Sequence, residues 1–300
     1  MHNGAVASHL DYRTNMLSRF TSRLYRLILF PPVRAVLGFF WVGGAIGLGS
    51  ATAALLPRGT QMLAPLLLAG GALVGYYSFV RIVERRRVPE LFARGCLTEA
   101  LAGTAIGCGL FGLVIGILAL LGIYSVSKVN AVSVVVPALM AALMAGITEE
   151  ILIRAVAFRI LEGWLGSWLA LGISAALFGL LHLGNPQATM VSCASIALEA
   201  GVMLAAAYMV TRRVWLAVGI HVGWNFTQSG IFGVATSGVQ STGYLEGNLS
   251  GAPILSGGAF GAEASIVAVV VCLAAGVFML RMAHKRGHVQ RPSWRAAVEV

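Results

Sequence analysis

Three short spacings hold the residues that could do chemistry. Glu149, Glu150 and Arg154, then His182 four residues after Phe178, then His221 and Asn225 four apart, interrupt runs that are otherwise apolar or small. A charge in the middle of a bilayer costs about 2.5–3.5 kcal/mol on insertion scales, so each such group needs a partner or a task. Glu150 and Arg154 meet on one helix face, where the guanidinium neutralises the carboxylate and fixes its rotamer. Glu149 is rotated by about 100° and stays free for other work. A carboxylate and an imidazole facing one low-dielectric cavity can share a water and activate it, as a general base does. His221 and Asn225 can both donate hydrogen bonds into one cavity, which is what the oxyanion of a tetrahedral intermediate requires.

Each group taken alone also has a purely structural account. Glu150 and Arg154 could be a self-satisfied ion pair joining helices, which leaves Glu149 unexplained. His182 could be a hydrogen-bonded packing residue. His221 and Asn225 could make an interhelical polar contact, worth about 0.6 kcal/mol on average. Glu199, beside Ser195 and Ala200-Gly201, reads as a cavity-lining or structural residue at a tight helix contact. His2, His9, His284 and His288 lie in the tails and read as solvated.

The elements that must position these groups are membrane helices. Of 300 residues, 58% are hydrophobic and 11% charged, with 21 Lys and Arg against 11 Asp and Glu. A soluble fold of this size needs far more charge to cover its surface. The expected class is therefore all-α, a polytopic membrane helical bundle. Eight windows are apolar enough to span, at 34–56, 62–83, 99–124, 132–160, 166–184, 189–211, 214–235 and 263–283. Lys and Arg alternate between rich and poor connections, with only Arg58 and Lys128 on the poor side, so both termini are expected in the cytoplasm. The short connection 163–166 makes the fourth and fifth windows an antiparallel hairpin. Glu149 and His182 lie about equally far from its midpoint, at similar depth.

Leu17, Phe20, Leu24, Leu27 and Ile28 recur at helical spacing opposite Arg19, Arg23 and Arg26, so 1–33 reads as a basic amphipathic interfacial segment. The membrane domain follows at 34–283, and a basic cytoplasmic tail at 284–300. Residues 236–262, rich in Gly and Ser, read as a flexible exterior loop. The four cysteines show no metal or disulfide spacing. The net charge of +10 sits beside apolar spans and marks topology, not nucleic-acid binding.

Glu149-Glu150-x-x-x-Arg154, Phe178-x-x-x-His182 and His221-x-x-x-Asn225, in that order, resemble the EExxxR, FxxxH and HxxxN motifs of the CPBP family. That family comprises the type II CAAX prenyl endopeptidases and the bacteriocin-processing and immunity proteins. The resemblance covers 132–235. It implies an intramembrane endopeptidase in which Glu149 and His182 activate water, His221 and Asn225 hold the oxyanion, and Glu150 and Arg154 maintain geometry. Glu149, His182 and His221 could also make a three-ligand zinc site, but no HExxH fixes two ligands on one helix, and metal-free glutamate catalysis is favoured. The implied substrate is a peptide or membrane protein, lipidated or not, entering laterally or from the cytoplasm. The short tails and connections suit a bacterial inner-membrane member. A non-catalytic scaffold or immunity protein of the same fold is the first alternative. A proton-coupled carrier is the second, and no inverted repeat supports it.

Overall fold

The computed structural model describes residues 25–296 apart from 26 and 93. Most of the expected interfacial segment lies outside the described residues. Six helical stretches are long and apolar enough to cross a membrane: Pro31–Ala54, Arg58–Glu84, Cys96–Leu120, Val132–Gly184, Met190–Thr211 and Ile266–Lys285. The molecule is an α-helical membrane bundle.

Helix α1 (Pro31–Ala54) opens on two prolines at its first positions, where the missing N–H would find no helical partner anyway. Helix α2 (Ala64–Phe79) and α3 (Cys96–Leu120) follow. The 53-residue stretch 132–184 is too long to be one span. It contains α4 (Val135–Glu150), a π-helical segment Ile151–Phe158, and α5 (Arg159–Leu181). Gly166, at φ 76° and ψ 168°, reverses the chain inside α5. A Cβ there would fall 2.8 Å from the backbone nitrogen of Pro292, so both the left-handed turn and the packed tail require glycine. This is the expected hairpin, and its two arms carry Glu149 and His182.

The chain continues as α6 (Met190–Ile196), a π-segment Ala197–Gly201 and α7 (Val202–Thr211). Next come α8 (Trp215–Asn225), a π-segment Phe226–Ile231 and finally α9 (Ile266–Lys285). Widened π turns are uncommon and concentrate at functional sites. Of four among the described residues, three follow Glu150, contain Arg154 and Glu199, and follow Asn225, while the fourth, Val80–Glu84, ends the second span.

Helices α3 and α8 pack with unusual closeness. A Cβ on Gly107 would meet the Ile220 carbonyl at 2.1 Å, and one on Gly223 the Thr104 carbonyl at 2.2 Å. Gly103 and Gly107 on α3 face Gly219 and Gly223 on α8, a small-xxx-small pair on both sides that lets backbones touch. The core behind them is filled by fully buried Tyr76, Phe79, Phe111, Phe158, Ile160 and Met209.

Several expectations are corrected. The third window ends at Leu120, because strand β1 (Tyr124–Val129) begins within it. The α-helix of the seventh window stops at Asn225 and its π-segment at Ile231, short of 235. The eighth helix starts at Ile266, not 263. Residues 236–262 form built structure. Strand β2 (Leu245–Leu249) pairs antiparallel with β1 in the register Tyr124↔Leu249 to Val129↔Leu245, with a bulge between Val126 and Lys128. Asn130 locks the ribbon by donating from its backbone and side chain to Tyr244 and Gly243 carbonyls at 2.7 and 3.0 Å. The described part of the basic tail is also packed: His288 meets the Met209 carbonyl at 2.9 Å, and Ser293 donates to Trp164 at 3.0 Å.

Candidate active site

The wide turn at the end of α4 sets Glu149 and Glu150 on different faces, and their surroundings diverge accordingly. Glu150 and Arg154 are completely buried, with Nη1 donating to Oε1 over 3.0 Å. The other Arg154 terminal nitrogen donates to the Ala200 carbonyl at 2.9 Å, one of the acceptors released where the helix widens at Ala197–Gly201. His221 approaches the same Glu150 oxygen through Nδ1 at 3.0 Å. A carboxylate only accepts, so Nδ1 carries the proton and Nε2 points elsewhere, toward Glu149 Oε2 at 3.9 Å.

Glu149 is about one-third exposed, and its Oε2 has no hydrogen-bond partner. It lines a cavity of about 650 Å³ together with His182, Asn185 and Asn225. His182 Nδ1 lies 2.8 Å from the Phe178 carbonyl. A carbonyl also only accepts, so Nδ1–H donates and Nε2 presents a lone pair. The structure thus brings Glu149, His182 and Asn225 to one cavity wall, with His221 immediately behind Glu149.

Phe178 is the residue whose role sequence reading left open. The Arg154 guanidinium stands 4.4 Å from its ring centroid, and the His182 and His221 rings pack on it at 4.9 and 6.1 Å. One buried aromatic therefore spaces three site groups, a stacking arrangement that a guanidinium and imidazoles both favour. Its signal in the sequence was the helical spacing to His182.

Glu263 was missed altogether. It is buried, shares a cavity of about 20 Å³ with Glu199, His221 and Asn225, and accepts a hydrogen bond from the Ser237 backbone. A lone acid ahead of an apolar span was the available sign. Glu199 is buried beside it with Oε2 unpartnered, and Gly201 packs on Ala175 at the expected tight contact. Such a space suffices for about one water.

Among the described residues no three His, Cys, Asp or Glu side chains are grouped closely enough to hold a metal ion. Glu149, His182 and His221 therefore do not form such a group in this structure. The four cysteines are free thiols.

A family model described as type II CAAX prenyl endopeptidase Rce1-like matches residues 130–227. No curated protein matches the chain. No solved structure matches it either. The matched segment starts just before α4 and ends two residues beyond Asn225, so it contains all three motifs and the cavity wall they form. Over this matched third of the chain, the core of a multi-pass bundle, the protein is similar to the type II CAAX prenyl endopeptidase Rce1-like family.

Proposed function

We propose that the protein is an intramembrane endopeptidase that hydrolyses a peptide bond with a water held between Glu149 and His182. The observation that carries this reading is that Glu149, about one-third exposed, and His182, whose Nδ1 is committed to the Phe178 carbonyl, line the same large cavity. In the proposed step, one water proton passes to the Glu149 carboxylate while the oxygen adds to the scissile carbonyl carbon. The other O–H is oriented by His182. The proton on Glu149 then moves to the departing amine nitrogen as the C–N bond breaks.

The developing oxyanion is held by Asn225 Nδ2 and His221 Nε2. With Nδ1 donating to Glu150, His221 can donate from Nε2 only as an imidazolium. The charges then cancel: Glu149 and Glu150 against Arg154 and His221. Glu150 and Arg154 act through His221 and position it. The site's own residues supply base, orienting group and oxyanion donors, so the proposed mechanism has no metal-dependent step. We place the protein in a bacterial inner membrane with eight membrane-embedded helical segments, counting the two arms of the Gly166 hairpin and α8 separately, and with both termini on the Arg-rich side.

The test is cleavage of a set of quenched peptides, prenylated CAAX and unmodified, by detergent-purified protein. Glu149→Gln and His182→Ala are expected to lose activity by about 10²–10⁴-fold, the usual contribution of a positioned base. Equal signals from wild type and both variants across the whole set would overturn the reading and favour a scaffold of the same fold.

A further inference from the structure

The two ends of the bundle differ, and the difference bears on where substrate comes from. One end gathers the connections 85–95, 159–167, 212–214 and 286–292. Their charges are tied together: Arg159 to Glu84 at 2.8 Å, Arg34 to Glu84 at 3.6 Å, Arg212 to Glu162 at 2.6 Å, and Arg213 to Glu99. Apart from Arg154 in the site, every Lys and Arg in the described residues except Arg58 and Lys128 belongs to this end. Basic connections stay in the cytoplasm. The opposite end, built from the ribbon, the 184–190 connection and 232–265, is the extracytoplasmic one by the same rule.

Depth can be measured along the hairpin. Gly166 marks the basic end; Glu149 and His182 are 17 and 16 residues from it, roughly 25 Å of helix at 1.5 Å per residue. With a comparable length of helix on the other side, both sit near the middle of the bundle's length. Between them and the basic end the bundle is plugged by fully buried Ile151, Val156, Phe158 and Ile160. On the other side the 650 Å³ cavity runs from Glu149 past Ala145, Ala141 and Ala138 to Pro137 and Val134 at its mouth. That is again about 22 Å of helix. The facing wall is the segment 236–242, irregular backbone that is tolerable at membrane depth only because it lines a cavity.

We infer that the catalytic cavity opens to the extracytoplasmic face and takes an uncharged, extended stretch of an exported or outward-facing polypeptide. This rests on the proteolytic reading above. The polarity of the walls sets the substrate class. Among the described residues, Glu149 and His182 are the only ionisable groups lining the cavity. One wall is a stripe of alanines suited to small apolar side chains. The other offers Ser237, Gln240, Ser241 and Thr242, which can hydrogen-bond the exposed backbone of an extended peptide. A charged side chain would find no partner there, and a tail displayed only at the basic face does not reach the mouth.

The test uses full-length protein with its four cysteines replaced by alanine and a single new thiol. Gln240→Cys sits in the cavity wall; Arg87→Cys, exposed at the basic end, is the reference. In spheroplasts treated with a membrane-impermeant maleimide, Gln240→Cys is expected to be labelled at once and Arg87→Cys only after permeabilisation. Labelled Gln240→Cys protein, once purified, should lose peptide cleavage while labelled Arg87→Cys protein retains it. Thr242→Cys, also exposed on the wall, repeats the measurement if the first variant does not fold. The reverse pattern, or labelling of both or neither before permeabilisation, overturns the inference. Cleavage by purified protein in detergent has no sidedness, so that result would leave the proteolytic reading standing.

Discussion

Neighbouring glutamates divide the labour of this site, and a mutation should tell them apart. Glu150 has Arg154 and His221 as partners and no exposure, whereas Glu149 has no hydrogen bond and faces the cavity. Removing Arg154 leaves a buried carboxylate unpaired, and the Ala200 carbonyl loses its donor. Arg154→Ala is therefore expected to lower stability by about 3–5 kcal/mol, read as denaturant unfolding in detergent. Glu149→Gln should leave that unfolding curve unchanged while abolishing cleavage; a large destabilisation would show Glu149 to be structural. The pairing of Glu150 with Arg154 and the freedom of Glu149 were legible in the sequence because both follow from helical periodicity. The stacking on Phe178 and the burial of Glu263 were not, since they depend on which helices meet, and no local spacing encodes that.

At the scale of elements, the sequence showed where apolar runs lie better than where helices end. The ribbon explains much of the error. Its strands are over a hundred residues apart, and Gly- and Ser-rich composition alone cannot distinguish a flexible loop from one fixed by distant pairing. The contact between α3 and α8 makes a sharper prediction. His221 and Asn225 ride on α8, and α8 is seated by glycines that leave no room for a side chain. Gly107→Val pushes against the Ile220 carbonyl, next to His221, and should shift the helix by a fraction of its diameter. Since a misplacement of about 1 Å can cost 10²-fold in rate, activity should fall by about that factor. Gly109→Val, on the same helix with open space around it, should keep activity near wild type, and equal losses in the two variants would remove α3 packing as the cause.

Across the whole molecule, a sealed, charge-bound end opposes an open, nearly neutral one. The sealed end joins α1, α2 and α5 through Glu84, and extends to Tyr76, Arg86 and Glu90 by a second set of bonds. Arg86 donates to Glu90 at 2.6 Å, and the Tyr76 hydroxyl donates to the same carboxylate. Burial alone would push the Glu90 carboxyl up, but the hydrogen bonds from Arg86 and Tyr76 outweigh it and hold it below its ordinary value of 4.5. A depressed acid binds fewer protons folded than unfolded, so its contribution is fully present above pH 4.5 and disappears as pH falls through the folded value. Stability in detergent is thus expected to be flat from neutral pH to about pH 5 and to decline below it. Glu90→Gln should be less stable at pH 7, because Arg86 and Tyr76 lose their acceptor, and should show a shallower decline in acid. An equally steep decline in the variant would assign the acid sensitivity to other carboxylates. Because this end lies some 25 Å of helix from Glu149, the variant's cleavage rate at neutral pH should stay close to wild type in protein that remains folded, separating the clamp that holds the bundle from the cavity that does the chemistry.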